Sequence, residues 1–256
     1  MDTRFWGPSA WRLLHTSTFL YEPSKKASYK KFFESIPYVL PCKYCRSSLT
    51  EYYEQYPLDD SVLKDKDTLS RWLYKIHNCV NRKLRSQHIR TVTDPTYAQV
   101  KADYAAQELS SMLLFWDFLF STAYNHPKEA SRTSKPIHAC PPEAFTCTDT
   151  DVRNRWNTLP MEERIPWFIQ FWDTLPDILA PSLSALWKDA EKDSRRDLSC
   201  RKSIIAWLWR QRCAMDPDFK DPYTTICNRI SSYSSECNSA SYRSKTCRRK
   251  TRKRTG

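Results

Sequence analysis

The sequence predicts an all-α protein, and three observations carry that prediction. Only two of its 256 residues are glycine, Gly7 and Gly256. Turns between strands rely on glycine for positive φ, so this count disfavours an all-β chain. Apolar residues recur at helical spacing along most of the chain, and no segment shows the apolar/polar alternation of a half-buried strand. The glycine count also excludes the glycine-rich loops of P-loop and Rossmann nucleotide sites. Any nucleotide cofactor must therefore be held by helix side chains.

The first predicted helix covers residues 8–21, with Ala10, Trp11, Leu13, Leu14, Phe19 and Leu20 at helical spacing and Pro8 suited to a first turn. A second covers 24–40, bent near Pro37. Pro41 opens a third, from Cys42 to Tyr56, which Pro57 and an acidic loop over 58–67 terminate. The fourth, 68–88, lines up Leu69, Trp72, Leu73, Ile76, Val80 and Leu84 along one side. Asp94 and Pro95 cap a short fifth helix that reaches Tyr104.

Beyond it lies a long apolar helix over 105–125, then a Pro-, Ser- and Thr-rich loop over 126–150 containing Cys140 and Cys147. Helices follow over 160–175, 176–190 and 196–215, before a Ser/Thr-rich tail. The division is thus 1–106, 107–225 and a tail over 226–256.

Charge follows the same division. The chain is +12 overall, but residues 1–106 are +6 and 107–242 are −2, while the last 14 residues carry 8 basic and no acidic groups. That block reads as a disordered arm, with nuclear import or polyanion binding as its functional readings. Arg4, Trp6 and Pro8 interrupt any apolar leader, and the apolar run 112–124 is too short to span a bilayer. The chain is expected to be soluble and not secreted. In that setting ten cysteines point to metal or redox chemistry.

Cys42 and Cys45 are three residues apart at a helix start. There the helix macrodipole favours thiolate, and one helical face carries both sulfurs within disulfide reach. A dithiol/disulfide catalyst needs that arrangement. The same pair is also half of a zinc site, which requires a second ligand pair; no further Cys-x-x-Cys occurs and the five histidines are scattered. The fourth helix places His77, Asn81 and Leu84 on one face with Asn78 beside them, a stripe able to hydrogen-bond a planar polar ligand and stack on it. On the first helix Trp11 and His15 are i, i+4 neighbours.

Together these elements resemble the Erv/ALR family of FAD-linked sulfhydryl oxidases over residues 4–106. The matching motifs are Gly7-x-x-x-Trp11-x-x-x-His15, Leu40-Pro41-Cys42-x-x-Cys45 (where the family has Tyr before Pro) and His77-Asn78-x-Val80-Asn81-x-x-Leu84. The resemblance implies a four-helix bundle with a short fifth helix cradling FAD, followed here by an additional all-helical C-terminal domain. It implies that Cys42 exchanges with substrate thiols and that Cys45 passes electrons to FAD, which reduces O2 to H2O2. Gly7, Trp11, His15, Trp72, His77, Asn78, Val80, Asn81, Lys83 and Leu84 are the implied cofactor-binding residues, and no metal is expected.

The implied partners are thiol-containing proteins, among them virion proteins or a thioredoxin-like relay, with O2 as acceptor and a second copy of the chain in a homodimer. The long C-terminal extension resembles that of large-DNA-virus members, which places the protein in the cytoplasm of an infected cell or in the virion, or in the nucleus through the basic tail. Candidate shuttle cysteines are Cys140/Cys147 or Cys227, Cys237 and Cys247. Where the family often joins the fourth and fifth helices by a disulfide, this chain has Tyr74 facing Tyr97 or Ala98, so packing must hold the fifth helix. Cys79 is an extra thiol. The alternative reading is a non-enzymatic zinc- or nucleic-acid-binding adaptor.

Overall fold

The computed structural model describes residues 2–89, 91–105, 114–126 and 161–234, and among them the chain is helical with no strand. Ten α-helices follow one another among the described residues: α1 (Thr3–Phe19), α2 (Lys26–Val39), α3 (Lys43–Gln55), α4 (Lys66–Ser86), α5 (Tyr97–Ala105), α6 (Trp116–Tyr124), α7 (Met161–Ile178), α8 (Pro181–Asp193), α9 (Arg201–Met215) and α10 (Tyr223–Ser234).

Local chemistry sets the ends. Helix α1 starts before Pro8 because Asp2 caps it, accepting from the Arg4 N–H at 2.9 Å. Asp65 caps α4 in a reciprocal box with Thr68. That helix stops where His88 takes a left-handed φ of 54°, turning Ile89 back so that its N–H bonds the Leu84 carbonyl at 2.9 Å. Cys42 occupies the N-cap of α3 in an extended conformation, one residue outside the helix expected to begin with it.

Two differences from the sequence expectation stand out. The helix expected to break between 175 and 176 runs on through Pro176 to Ile178. Residues 226–234, expected in the tail, lie inside α10. Ile226 and Ile230 are buried, the Phe5 and Tyr233 rings stack 4.2 Å apart, and Arg229 bonds Asp117 at 2.9 Å. Cys227, placed among the tail thiols, is therefore a half-buried helical residue. Cys140, Cys147, Cys237, Cys247 and the basic block lie outside the described residues.

Helices α1–α5 and α6–α10 form two layers over one hydrophobic core. Helix α7 lies along α2, where Phe32 and Phe171 stack at 5.3 Å and Tyr38 and Trp167 at 4.1 Å. Helix α6 lies against α1, with Trp6 and Phe118 6.0 Å apart. The second layer has its own aromatic centre in Trp116, Trp172, Trp187 and Trp207, all fully buried.

Tyrosines join the fourth and fifth helices. The Tyr74 and Tyr97 rings meet edge to face at 5.6 Å. Tyr97 also bonds Ser70 at 2.7 Å and Asp67 at 3.0 Å, and the Arg71 guanidinium lies 4.1 Å over its ring. The fifth helix is thus fixed to α4, and its Tyr104 covers His15 at 4.9 Å.

Candidate functional site

Helices α1, α3 and α4, with the segment after α4, enclose a cavity of about 560 Å³, within the usual range for small-molecule and cofactor pockets. Helix α1 contributes Gly7 and Trp11; α3 contributes Cys45, Ser48, Leu49 and Tyr52; α4 contributes His77, Val80, Asn81, Lys83 and Leu84; Ile89 and Val92 flank the rim. A Cβ built at Gly7 meets no heavy atom within 4 Å, so the first helix borders open space there and a ligand can approach its backbone closely.

Of the residues the motifs predict, Gly7, Trp11, His77, Val80, Asn81, Lys83, Leu84 and Cys45 line this cavity, whereas His15, Trp72, Asn78 and Cys42 do not. Trp72 is a core residue beneath α2 and α3; its indole N–H donates to the Tyr56 carbonyl at 2.9 Å and its ring meets Phe33 edge-on. His15 is buried behind His77, with His15 Nε2 and His77 Nδ1 2.9 Å apart. Burial, and secondly His77, depress the His15 pKa to about 3, so its imidazole is neutral at physiological pH. One proton shared across that contact fixes how the His77 ring is presented. Trp11 stacks on His77 at 3.8 Å with the rings 7° from parallel, giving the cavity a flat aromatic wall.

The polar groups at the cavity are few. The Lys83 ammonium donates to the Ser48 hydroxyl. The Asn81 carboxamide is buried at the wall and makes no hydrogen bond among the described residues. Sequence reasoning overlooked Tyr44, Ser48, Leu49 and Tyr52. Cys45, Ser48, Leu49 and Tyr52 fall at i, i+3, i+4 and i+7, one helical face, and that spacing was the available signal.

On the α3 side Cys45 stands in the cavity wall, and Cys42, at the N-cap of α3, lies outside the lining. The Cys45 side chain hydrogen-bonds the Cys42 thiol and, with neighbouring backbone N–H groups, lowers its pKa to about 6 against the opposing effect of burial. Next to them the Arg46 guanidinium is buried and donates to the Leu40 carbonyl at 2.7 Å. Cys79 differs in kind, since burial pushes its thiol upward. Among the described residues no three His, Cys, Asp or Glu side chains gather as a metal-binding group, and no helix is long and apolar enough to cross a membrane.

Residues 8–104 match the Erv1/Alr family model. A protein of Acanthamoeba polyphaga mimivirus named Probable FAD-linked sulfhydryl oxidase R368 is 38% identical over 85 residues, which cover 32% of this chain and 59% of that protein. The Mitochondrial FAD-linked sulfhydryl oxidase ERV1 of Saccharomyces cerevisiae is 30% identical over 88 residues, covering 33% of this chain and 45% of the yeast protein. The chain thus spans about half the length of these relatives. No solved structure matches it at comparable stringency. The matched stretch carries the dithiol pair and most of the cavity lining, and over it the chain is similar to the Erv1/Alr family.

Proposed function

We propose that this protein is an FAD-dependent thiol oxidase that forms disulfide bonds in protein substrates. The observation that carries this reading is Cys45 in the wall of a cavity that also presents a stacked Trp11–His77 pair and the Lys83 ammonium. The residues fit FAD. The stacked pair offers a flat face to a ring system, Asn81 offers an unused carboxamide, Lys83 offers a charge for a phosphate, and the bare face at Gly7 admits close approach.

The protein's own chemistry begins with Cys42–Cys45 as a disulfide. A substrate thiolate attacks the Cys42 sulfur; the Cys42–Cys45 bond breaks and Cys45 leaves as thiolate. A second substrate thiolate attacks the substrate sulfur of that mixed disulfide, forming the product disulfide and freeing Cys42. Two electrons and two protons have then moved from the substrate thiols to the pair. When bound, FAD supplies the acceptor that takes two electrons from Cys45 and delivers them to O2 as H2O2. The hydrogen bond from Cys45 stabilises thiolate on Cys42, which makes that sulfur a better leaving group when the mixed disulfide is resolved.

The substrates we propose are thiol-bearing proteins, among them virion proteins, with a homodimer as the working form and the cytoplasm of an infected cell as the setting, following the mimivirus relative. The zinc-adaptor reading is not favoured, since the relatives over the matched stretch carry the name of FAD-linked sulfhydryl oxidases.

Cys45→Ser tests the assignment. The variant is expected to keep the yellow absorbance of oxidised flavin and to lose dithiothreitol oxidation. Retained turnover would refute the role of Cys45. A wild-type preparation that is colourless, and inactive after FAD is added, would sink the whole reading.

A further inference from the structure

The second layer repeats the first. Phe32, Pro37 and Leu40 recur as Phe171, Pro176 and Leu179, and between them Glu34, Ser35, Ile36 and Val39 recur as Asp173, Thr174, Leu175 and Ile178. The same positions of the two stretches are buried, and α2 and α7 each carry a proline two residues before their last. Trp72 and Leu73 of α4 likewise recur as Trp207 and Leu208 of α9, with Leu69 and Ile204 buried one turn earlier.

The contacts recur with the residues. Trp72 meets Phe33 at 5.5 Å with the rings at 89°, and Trp207 meets Trp172, at the matching positions, at 5.4 Å and 88°. Tyr74 donates to the Pro95 carbonyl at 2.9 Å and meets Tyr97, the first residue of α5, edge-on. Trp209 donates to the Asp221 carbonyl at 3.0 Å and meets Tyr223, the first residue of α10, edge-on. In each layer the first helix touches the fourth and fifth, and the third touches the second and fourth.

The packing of α7 on α2 is also reciprocal. The same match makes Lys25 and Arg164, Ser28 and Trp167, and Tyr38 and Asp177 counterparts. Arg164 donates to the Tyr38 carbonyl at 3.0 Å, and Lys25 donates to the Asp177 carbonyl at 3.3 Å. Trp167 stacks on Tyr38, and Ser28 donates to the Asp177 carboxylate at 2.8 Å. Near the middle, Phe32 meets its own counterpart Phe171, and Gln170 donates to the carbonyl of its counterpart Lys31 at 2.7 Å. A two-fold rotation leaves this signature. Two unrelated helical layers have no reason to reciprocate residue by residue.

The chemistry does not recur. Helix α8 holds the place of α3 and contains no cysteine. Arg212, Asp216 and Asp218 take the sequence positions of His77, Asn81 and Lys83, so an anion replaces the cation of the cavity wall. Where α1, α3 and α4 leave a cavity, α6, α8 and α9 bring together Trp116, Trp187 and Trp207, all fully buried. Trp187 lies 6.1 Å from Trp116 and 5.7 Å from Trp207.

We propose that α6–α10 are a degenerate second copy of the α1–α5 bundle, docked on the α1–α2 face as an internal two-fold partner, so that each chain carries one cofactor site on two bundles. That face is thereby closed to a second chain, and the homodimer proposed above joins such chains through other faces. The cofactor count rests on the oxidase reading given above; the duplication does not.

The test is a crystal structure of the full-length protein together with a fluorescence titration of its apoprotein with FAD. One rotation of roughly 180° should carry α1–α5 onto α6–α10. The titration should break at one FAD per chain, and Lys83→Met should leave no tight site. A superposition that needs a rotation far from 180° would overturn the duplication, as would a second chain seated on α2 in place of α7. A second equivalent of FAD that binds the chain and survives Lys83→Met would overturn the degenerate copy. Failure to bind FAD at all would sink the oxidase reading instead, and the rotation would still decide the duplication.

Discussion

Reducing the protein and alkylating it with iodoacetamide across a pH series gives a direct measure of the environment of Cys42. Its pKa is lowered from 9.0 to about 6, chiefly by the hydrogen bond from the Cys45 side chain. At pH 7 such a thiol is about 90% thiolate, whereas one at the ordinary value is about 1% thiolate. Nucleophilicity falls with basicity, and three pKa units at a Brønsted slope near 0.45 cost roughly 20-fold in intrinsic rate. The net gain at pH 7 is therefore only about fourfold, so the midpoint is the diagnostic quantity rather than the rate. Cys42 alkylation, followed by peptide mass mapping, should rise through a midpoint near pH 6 and level off by pH 7 to 8. Cys79 is an internal control, because burial raises its thiol pKa and its alkylation should still be climbing above pH 9. The linked stability has a definite sign. A thiol whose folded pKa lies below its unfolded value stabilises the fold fully above pH 9, and the contribution fades as pH falls and is gone below about pH 6. The reduced protein should accordingly gain thermal stability relative to the oxidised protein between pH 6 and 9. Cys42 alkylation that rises in step with Cys79 would refute the account of the pair.

Two further substitutions probe the cavity and its support. Lys83→Met removes the charged donor beside Ser48, and flavin affinity should fall roughly 10- to 150-fold, the worth of one hydrogen bond to a charged group, as read by fluorescence titration of the apoprotein. Unchanged affinity would remove Lys83 from the cofactor site. Tyr97→Leu deletes the bonds to Ser70 and Asp67 and the Arg71 contact, a loss of about 2 kcal/mol that should lower Tm by roughly 4–8 °C. Limited proteolysis should then cut first within α5; a Tm within 1 °C of wild type (about 0.3 kcal/mol) would show that α5 is held some other way.

The helices were legible because each long one shows an apolar period, as α4 does with Leu69, Trp72, Leu73 and Ile76, all buried. The cavity was legible in part for the same reason, since His77, Asn81 and Leu84 fall on one face and all line it. Trp72 and His15 carry motif positions too, yet a linear pattern does not separate a residue that touches a ligand from the one behind it. Helix α10 was missed because Ile226 and Ile230 are sparse among Ser, Thr and Asn; its burial comes from docking on α9, α6 and the start of α1. Pro176 misled because proline opposes a helix interior, yet α7 continues past it to Ile178, with Leu175 and Ile178 both fully buried. The pairing of Arg164 with the Tyr38 carbonyl spans 126 residues and has no local signature at all.

That long-range contact bears on why the second layer is built as it is. Burying two guanidinium groups is costly, and well-packed apolar residues of similar volume often stabilise a core more. Arg46 and Arg164 each recover some of that cost by donating to turn carbonyls, but a neutral amide such as Asn125 satisfies the same kind of acceptor without a buried charge. What the three donors share is the turn they close: the Tyr38 and Leu40 carbonyls, which Pro41 cannot serve, are satisfied from α3, α6 and α7 together, so the second layer helps to fix the backbone that leads into Cys42.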